Sequence, residues 1–300
     1  SKELFKKIFN RTIWKFIRVL LASLGIKRKY DINGYSIQIE YTHLLPDYQN
    51  KHPRYDRFLP YFVKFLPEKS LVIDVGANIG DTLVGMVANN QKIEYLCIEA
   101  SNEFFKNLQK NVELLKINKP DIQVTLVNEF VGKDIDEVSL EGFGGTKHAV
   151  VGSGSIKSKA MLTILNELKI EHERVSLLKT DVDGFDWDVI RSSYDALSHN
   201  PYVFFECDYG NLEQLRNYKD MFSELVSIGY SKFAFFDNYG QFIITTGNMN
   251  QIYELIEYIS GQNFNQSTRT IYYYDVLAYT SEKDDEVISL INGYNSKSQF

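Results

Sequence analysis

A pair of glycines after the first strongly apolar run marks a site where chemistry is expected. The run Leu71–Val75 is typical of a buried strand, and Gly76 and Gly80 follow it before a helical segment. Glycines in such a turn allow the backbone to approach a ligand closely and to turn tightly into the helix. This spacing predicts a ligand site at the carboxyl end of the strand.

The acids around this turn indicate the charge of the ligand. Asp74 and Asp81 flank the turn, and Glu99 stands at the end of the next predicted strand. An acid in that position of a doubly wound fold accepts hydrogen bonds from a ribose diol. Two carboxylates beside the turn would repel a pyrophosphate, but they suit a cation. The charges therefore favour S-adenosylmethionine, which carries an ammonium and a sulfonium, over a nicotinamide dinucleotide.

The elements that must position these residues are short apolar strands that alternate with helical segments. Such alternation is typical of parallel βαβ units, so the sequence predicts an α/β fold with a doubly wound, Rossmann-like sheet. A hairpin-like pattern over residues 232–245 adds an antiparallel strand near one edge and makes the sheet mixed. The predicted core strands are residues 71–75, 95–98, 123–127, 176–180 and 202–207.

Four further segments have local patterns of their own. Residues 34–41 alternate in polarity and predict a strand, and Pro53 is expected to begin a helix over residues 53–66. The Gly- and Ser-rich stretch 141–155 predicts a long loop. A helix is expected after it, near residues 157–168.

The first thirty residues differ in charge from the rest of the chain. Residues 1–30 carry nine lysines and arginines and one acid, a net charge of +8, whereas the whole chain carries −6. At helical spacing, residues 4–24 separate into a broad apolar face and a basic face. The basic face holds Lys7, Arg11, Lys15 and Arg18, and the apolar face holds Phe5, Ile8, Phe9, Ile13, Phe16, Ile17, Leu20 and Leu24.

Two interpretations of this amphipathic helix stay open. The helix attaches the protein to an anionic membrane surface or to a partner, or it covers the domain with its apolar face and leaves the basic face in solvent. The expected organisation is a basic N-terminal helix in residues 1–30, a strand and a helix in residues 31–69, and the core domain in residues 70–300.

The composition excludes several classes of protein. Apolar residues make up 44% and charged residues 24% of the 300 residues, as in ordinary globular proteins. Two cysteines are too few for a disulfide scaffold or a multi-cysteine zinc site, and no apolar run is long enough for a transmembrane helix. The acidic body argues against nucleic acid as a partner. These features predict a cytoplasmic protein, with residues 1–24 as the candidate for peripheral contact with the inner face of a membrane.

The motifs around these residues resemble those of the class I S-adenosylmethionine-dependent methyltransferases, and more narrowly those of the FkbM-type family. The glycine turn is typical of the superfamily, and the segment that begins at Lys179 and ends at Gly184 is the motif typical of the family. The resemblance covers roughly residues 70–280. The matching segments are Ile73–Thr82, Ile98–Ala100, Leu178–Asp186 and Tyr274–Ala278.

This resemblance implies a seven-stranded sheet with an antiparallel last strand. It also implies transfer of a methyl group from S-adenosylmethionine to a hydroxyl, often on a sugar of a glycan, a polysaccharide or a natural product. The residues expected to bind the cofactor are Asp74, Gly76, Asn78 and Gly80 at the methionine end with Asp81 flanking the turn, Glu99 at the ribose, and Asn128 and Glu129 near the adenine.

Catalysis requires a group that removes the proton of the acceptor, because a sugar hydroxyl is a poor nucleophile. The candidates are Asp181, Asp183, Glu206, Asp208 and His148. Asp181 follows the fourth core strand and is expected to face the methyl group, and Glu206 and Asp208 end the neighbouring strand. A metal shared by Asp181, Asp183 and Asp208 is an alternative, although no metal is among the expected cofactors.

Two other functions stay open on the sequence alone. An NAD- or NADP-dependent oxidoreductase would use the same glycine turn and acid to bind a dinucleotide. A non-catalytic module would retain the fold in order to bind a glycan or a membrane. The leading prediction is an O-methyltransferase whose partner is a sugar or glycan hydroxyl and not a nucleic acid.

Overall fold

A helix, a hairpin and two short helices precede the first core strand. The computed structural model describes residues 2–132, 138–141, 148–151, 158–265, 270–298 and 300. The elements that lead to the core are α1 (Lys2–Ser23), β1 (Lys27–Ile32), β2 (Tyr35–Glu40), α2 (Leu45–Lys51) and α3 (Phe58–Phe62), followed by a 3₁₀ turn (Val63–Phe65).

Local backbone conformation explains where this N-terminal part departs from prediction. Asn33 and Gly34 have φ of 53° and 89°, the conformation that a tight two-residue hairpin needs, so β1 pairs with β2. The strand β2 was predicted, whereas β1 and α2 were not. Asp56 has φ of 55°, which interrupts a right-handed helix, so Pro53 does not begin the helix predicted over residues 53–66.

Strands and helices alternate strictly through the next part of the chain, as predicted. Each strand is apolar and the helices cover it, which is the arrangement of parallel βαβ units. The elements are β3 (Leu71–Val75), α4 (Asp81–Asn89), β4 (Glu94–Ile98), α5 (Asn102–Asn118) and β5 (Gln123–Val127).

Short strands occupy the region that was expected to be a loop. The elements are β6 (Phe130–Val131), β7 (Val138–Glu141), β8 (His148–Val151), β9 (Ser158–Lys159) and α6 (Met161–Glu167). The prediction of a loop over residues 141–155 was therefore wrong for β7 and β8, which pair with each other in antiparallel fashion. The following helix begins later than predicted, because β9 pairs with β6 first.

The second half of the core again alternates and ends in a hairpin, a strand and helices. The predicted hairpin is present, since β12 and β13 pair in antiparallel fashion. The elements are β10 (Val175–Thr180), α7 (Asp186–Arg191), β11 (Tyr202–Cys207), α8 (Leu212–Ser227), β12 (Lys232–Asp237), β13 (Phe242–Thr246), α9 (Met249–Asn265), β14 (Tyr274–Tyr279) and α10 (Asp284–Ser296), with 3₁₀ turns at His172–Arg174, Tyr194–Leu197 and Ser281–Lys283.

The main sheet has the strand order β13-β12-β14-β11-β10-β3-β4-β5. The strands β11, β10, β3, β4 and β5 are parallel, and β14 runs antiparallel to both of its neighbours, β11 and β12. The antiparallel last strand implied by the family resemblance is thus confirmed. The sheet has eight strands instead of seven, because β13 adds an edge strand beside β12.

Two apolar layers cover the two faces of this sheet. Alternate residues of the central strands face opposite sides, with Ile73 and Leu96 in one layer and Val72 and Tyr95 in the other. The first layer is completed by residues of α6 to α9, and the second by residues of β1, β2, α2 to α5 and α10. The layers leave the carboxyl edge of the parallel strands as the place where polar side chains gather.

The helix α1 lies outside both layers. Its Arg18 side chain, from the basic face, bonds to the segment after β2, while Phe16 and Leu20 of the apolar face are exposed. Over residues 13–24, whose side chains are described, the apolar face therefore does not cover the domain as one of the two interpretations expected. Within the described residues, no helix is long and apolar enough to cross a membrane.

Candidate active site

The turn between β3 and α4 is shaped by glycines that cannot be replaced without a clash. Gly76 has φ of 73°, and a Cβ atom placed on it would lie 2.0 Å from the carbonyl oxygen of Asp181. Gly80 has φ of 87°, and its Cβ would lie 2.7 Å from Leu108 Cδ1. The first contact brings the ends of β3 and β10 together, and the second brings the turn against α5. Gly76 therefore fixes the backbone on which the site is built.

Glu99 is held in one orientation at the end of β4. Its Oε2 accepts a hydrogen bond of 2.8 Å from the backbone N–H of Asn78, and its Oε1 accepts one of 2.7 Å from the N–H of Ser101. Burial raises the pKa of Glu99, and these two hydrogen bonds oppose that shift. Each carboxylate oxygen has a second lone pair, so Glu99 retains the capacity to accept from a ligand.

A cavity opens at the carboxyl ends of the neighbouring strands β3 and β10, from which the chain continues toward opposite edges of the sheet. It encloses about 580 Å³, counting the space open to solvent. Its position outside the carboxyl ends of the strands, where the strand order reverses, is the usual ligand site of such sheets. Its walls are formed by Val75, Gly76, Asn78, Ile98, Glu99, Ala100, Phe104, Glu129, Phe130, Val131, Asp181, Val182, Asp183 and Phe185.

Asp74 occupies a different place from the one expected. It is fully buried beneath the turn, and its Oδ1 lies 2.8 Å from Lys179 Nζ. Lys179 also donates to the carbonyl oxygen of Gly76 at 3.2 Å. Burial acts to lower the pKa of Lys179, but Asp74 and Asp181 raise it above the usual value. Asp74 does not line the cavity, so the sequence argument that its charge faces the ligand needs this correction.

The other expected cofactor residues divide between the cavity and its support. Gly76, Asn78, Glu99 and Glu129 line the cavity. Asn128 supports it, because its side-chain amide donates to the carbonyl oxygen of Glu99 at 2.7 Å.

Asp81, by contrast, lines a separate, smaller hollow of about 230 Å³ together with Asp56 and Arg57. Gly80 shapes the turn and begins α4. Roles of these residues toward a ligand stay predictions.

Three carboxylates meet at the mouth of the cavity. One oxygen each of Asp181, Asp183 and Glu206 lies within 4.8 Å of the others. We call this group the carboxylate cluster. The cluster could hold a proton or a divalent cation, because both are stabilised by converging carboxylate oxygens. The sequence placed Asp208 in this metal set, whereas the structure brings Glu206 there.

The environment of the carboxylate cluster favours protonated carboxyl groups. Burial, together with the charges of Asp181 and Asp208, raises the pKa of Asp183 to about 7. The same causes raise the pKa of Glu206 well above its usual value. Asp275 stands directly opposite Glu206 in the pairing of β11 with β14, and burial raises its pKa strongly as well. This side of the edge therefore has more carboxylates than nearby cations can neutralise.

Sequence reasoning missed several residues at or beneath this edge of the sheet. Lys179 was quoted only as part of a motif, although a lysine within an apolar strand is itself a signal of a buried ion pair. Tyr55 and Asp56 come from the N-terminal segment, and Tyr55 shares a hydrogen bond with Tyr273. Burial and neighbouring carboxylates raise the pKa of Asp56 to about 8. No local pattern marks Tyr55 or Asp56, because only the fold carries them to the edge.

His148 stays a prediction. Its backbone lies in β8, opposite Glu141 of β7. Its side chain is outside the part of the chain whose side chains are described.

One family model matches more than half of the chain. Residues 74–234 match the model of the methyltransferase FkbM domain. No curated protein matches the chain.

Among solved structures, the fold is similar to that of methyltransferase FkbM from Methylobacillus flagellatus KT, with 13% identity, a TM-score of 0.39, and coverage of 79% of this chain and 59% of that one. It is also similar to M. jannaschii TYW2 in complex with AdoMet, with 8% identity, a TM-score of 0.45, and 84% of both chains covered. M. capricolum TrmK in complex with S-adenosylhomocysteine has 11% identity, a TM-score of 0.38, and coverage of 74% of this chain and 67% of that one.

Proposed function

Because the chain belongs to the FkbM methyltransferase family and its cofactor is S-adenosylmethionine, we propose that it methylates a hydroxyl of a sugar, a glycan or a polysaccharide precursor. The family match decides against the oxidoreductase alternative. The acceptor class is the finer part of this proposal, and a role in polysaccharide biosynthesis follows from it.

The residues of the cavity fit the cofactor chemically. Glu99 offers two fixed oxygens to a ribose diol, since each has a free lone pair. Phe104 and Phe130 give apolar walls that suit an adenine ring. Glu129 and Asp181 add negative charge to the walls, which suits an ammonium and a sulfonium. When bound, S-adenosylmethionine supplies a methyl group on a positively charged sulfur.

One observation carries the proposal of a hydroxyl acceptor. Asp181 and Asp183 line the cofactor cavity and also belong to the carboxylate cluster with Glu206. An acceptor bound at the cluster therefore lies beside the cofactor, as an in-line displacement requires. A hydroxyl needs a base at this point because it is a poor nucleophile, whereas a thiolate or an unprotonated amine would not.

Asp183 is the member of the cluster best suited to take the proton. A general base is most effective when its pKa lies near the working pH, and burial with neighbouring charges raises the pKa of Asp183 to about 7. Asp181 and Asp208 then act on the reaction by raising that pKa. Asp181 and Glu206 are placed in the cluster to form hydrogen bonds with other hydroxyls of the acceptor. The excess of carboxylates disfavours acceptors that carry phosphate or carboxylate groups near the reacting hydroxyl.

The test measures S-adenosylhomocysteine formed from S-adenosylmethionine and a panel of neutral and anionic glycosides. We expect turnover with neutral glycosides and a rate that increases with pH through about 7, as Asp183 loses its proton. Asp183→Asn should lower kcat by about a hundredfold or more while cofactor affinity changes little. Asp121→Asn, an exposed acid distant in sequence from the site motifs, serves as the matched control.

Three results would contradict this proposal. Turnover only with anionic glycosides would oppose the acceptor class. A rate unchanged in Asp183→Asn would remove Asp183 as the base. Loss of activity on dialysis against EDTA, restored by Mg²⁺, would show that the carboxylate cluster holds a cation instead of accepting the proton.

A further inference from the structure

The helix α1 presents its apolar face to solvent. Ile13, Phe16, Leu20 and Leu24 recur at spacings of three and four, and their exposed fractions are 41%, 71%, 48% and 65%. An amphipathic helix of a globular protein normally buries this face against the core. Here the face is continuous along the described side chains of the helix, so it is available to a partner.

Arg18 holds the helix to the protein by the opposite face. Its Nε donates to the carbonyl oxygen of Tyr41 at 2.6 Å, and its Nη1 lies 2.8 Å from Asp47 Oδ2. Its Nη2 donates to the carbonyl oxygen of His43 at 3.4 Å. The helix is thus oriented with its basic face inward at Arg18 and its apolar face outward.

From this orientation we infer that α1 docks the protein onto an anionic lipid surface. An exposed apolar face on a helix whose opposite face is basic is the arrangement by which amphipathic helices lie in a membrane interface. Lys15 on the helix and Lys29 in β1 are exposed, within a segment whose net charge is +8. Trp14 is 60% exposed and has the amphipathic ring that favours the headgroup level.

Charge also distinguishes the lipid from a second copy of this chain. Two copies joined through α1 would bring two segments of charge +8 together, and the resulting repulsion opposes self-association. An anionic bilayer has the complementary charge, at about 1 kcal/mol for each base near the surface. The helix cannot cross the bilayer, so it is expected to lie along the surface.

The experiment uses the full chain with vesicles of pure phosphatidylcholine and of phosphatidylcholine mixed with phosphatidylglycerol. We expect flotation with the mixed vesicles, weakened by salt, and little flotation with the neutral ones. Trp14 should report contact by a shift of its emission to shorter wavelength, because the other tryptophan, Trp187, is only 7% exposed. Trp14→Phe should remove that shift.

Phe16→Ser combined with Leu20→Ser should weaken vesicle binding by about tenfold or more, because each side chain contributes apolar area to the bilayer contact. The matched control changes Ile117 and Leu212 to Ser, since both are exposed apolar residues on other helices. Calorimetric binding of S-adenosylhomocysteine, unchanged in both variants, shows that they are folded.

Three outcomes would overturn the inference. These are absence of flotation with mixed vesicles, equal loss in the two double variants, and a concentration-dependent dimer without vesicles that only the α1 variant abolishes. The last would assign the face to a second copy. Vesicle binding is measured without an acceptor, so its failure is independent of the proposed methyl transfer.

Discussion

The carboxyl edge of the sheet has a cofactor half around Asp74 and Glu99 and an acceptor half around Asp183 and Glu206. The two halves differ in how the charges of their carboxylates are balanced. On the cofactor half, Lys179 neutralises Asp74, and two backbone N–H groups hold Glu99. On the acceptor half, Asp183 and Glu206 face one another, and burial with neighbouring charges raises the pKa of each. The first half is built to bind, because its groups are fixed before a ligand arrives. The second half is built to hold and release protons.

Lys179 is the residue that separates the two halves. Its Nζ lies 2.8 Å from Asp74 but 3.7 Å from Asp181. Its charge is therefore used mainly beneath the cofactor turn, and less of it reaches the carboxylate cluster. Burial raises the pKa of Asp74, and the charge and hydrogen bond of Lys179 oppose that shift. The position of this buried cation thus decides which carboxyl group receives most of the compensation.

Removal of this cation should have the largest effect on the protein. Lys179→Met leaves Asp74 buried without its partner, which costs about 3–5 kcal/mol in the free energy of unfolding. Urea denaturation measures this loss. Asp74→Asn added to Lys179→Met should recover part of it, because the uncompensated charge is then gone.

The control is Lys92→Met, which breaks an exposed pair with Glu68. Exposed pairs contribute about 0–1 kcal/mol. If the two lysine variants lost similar stability, the contrast between a compensated half and an uncompensated half would have no energetic basis.

Gly76→Ala tests the contact that joins the two halves. A Cβ at this position meets the carbonyl oxygen of Asp181, and the residue has φ of 73°. We expect a loss of about 2–4 kcal/mol from strain and overlap together, with weaker binding of S-adenosylhomocysteine. Gly34→Ala is the matched control, because Gly34 has φ of 89° and no atom within 4 Å of its Cβ. Equal losses would leave backbone strain as the whole cause.

The sequence predicted one half of the edge far better than the other. Gly76 and Glu99 lie in short local patterns, a turn after a strand and an acid after the next, so spacing alone located them. Tyr55 and Asp56 reach this edge through long-range packing, which leaves no periodicity or motif to read. Asp275 lies in the matching segment Tyr274–Ala278, but no role was predicted for it. Asp74 was located correctly but assigned the wrong direction, because its pairing with Lys179 depends on the side-by-side register of β3 and β10.

The Glu99→Gln variant tests whether Glu99, on the cofactor half, contacts the ligand. A glutamine offers one oxygen and one NH₂ group, so one of the N–H groups of Asn78 and Ser101 would face a donor. We expect the Kd for S-adenosylhomocysteine to increase by about tenfold to a hundredfold, as for lost hydrogen bonds to a charged group. Calorimetry measures the change, with Glu113→Gln on the exposed side of α5 as control. An unchanged Kd would show that Glu99 does not contact the ligand.

The pH dependence of stability tests the acceptor half and has the smallest expected effect. The pKa of Asp183 is about 7 in the folded protein against an ordinary value of 3.8, so between these values the folded state binds more protons than the unfolded state. The free energy of unfolding therefore decreases as pH increases from about 4 to about 7. The Asp183 side chain is only half-buried, so solvent screens its interactions. We therefore expect Asp183 to contribute about 1–2 kcal/mol to that decrease.

Asp183→Asn should flatten the decrease, because asparagine does not titrate, while Asp121→Asn should leave it intact. Urea denaturation at a series of pH values measures both slopes. A stability that increases with pH across this window would mean that the carboxyl groups of the acceptor half are ionised in the folded protein. In that case a cation bound at the carboxylate cluster would be required to balance the acceptor half, as Lys179 balances Asp74 in the cofactor half.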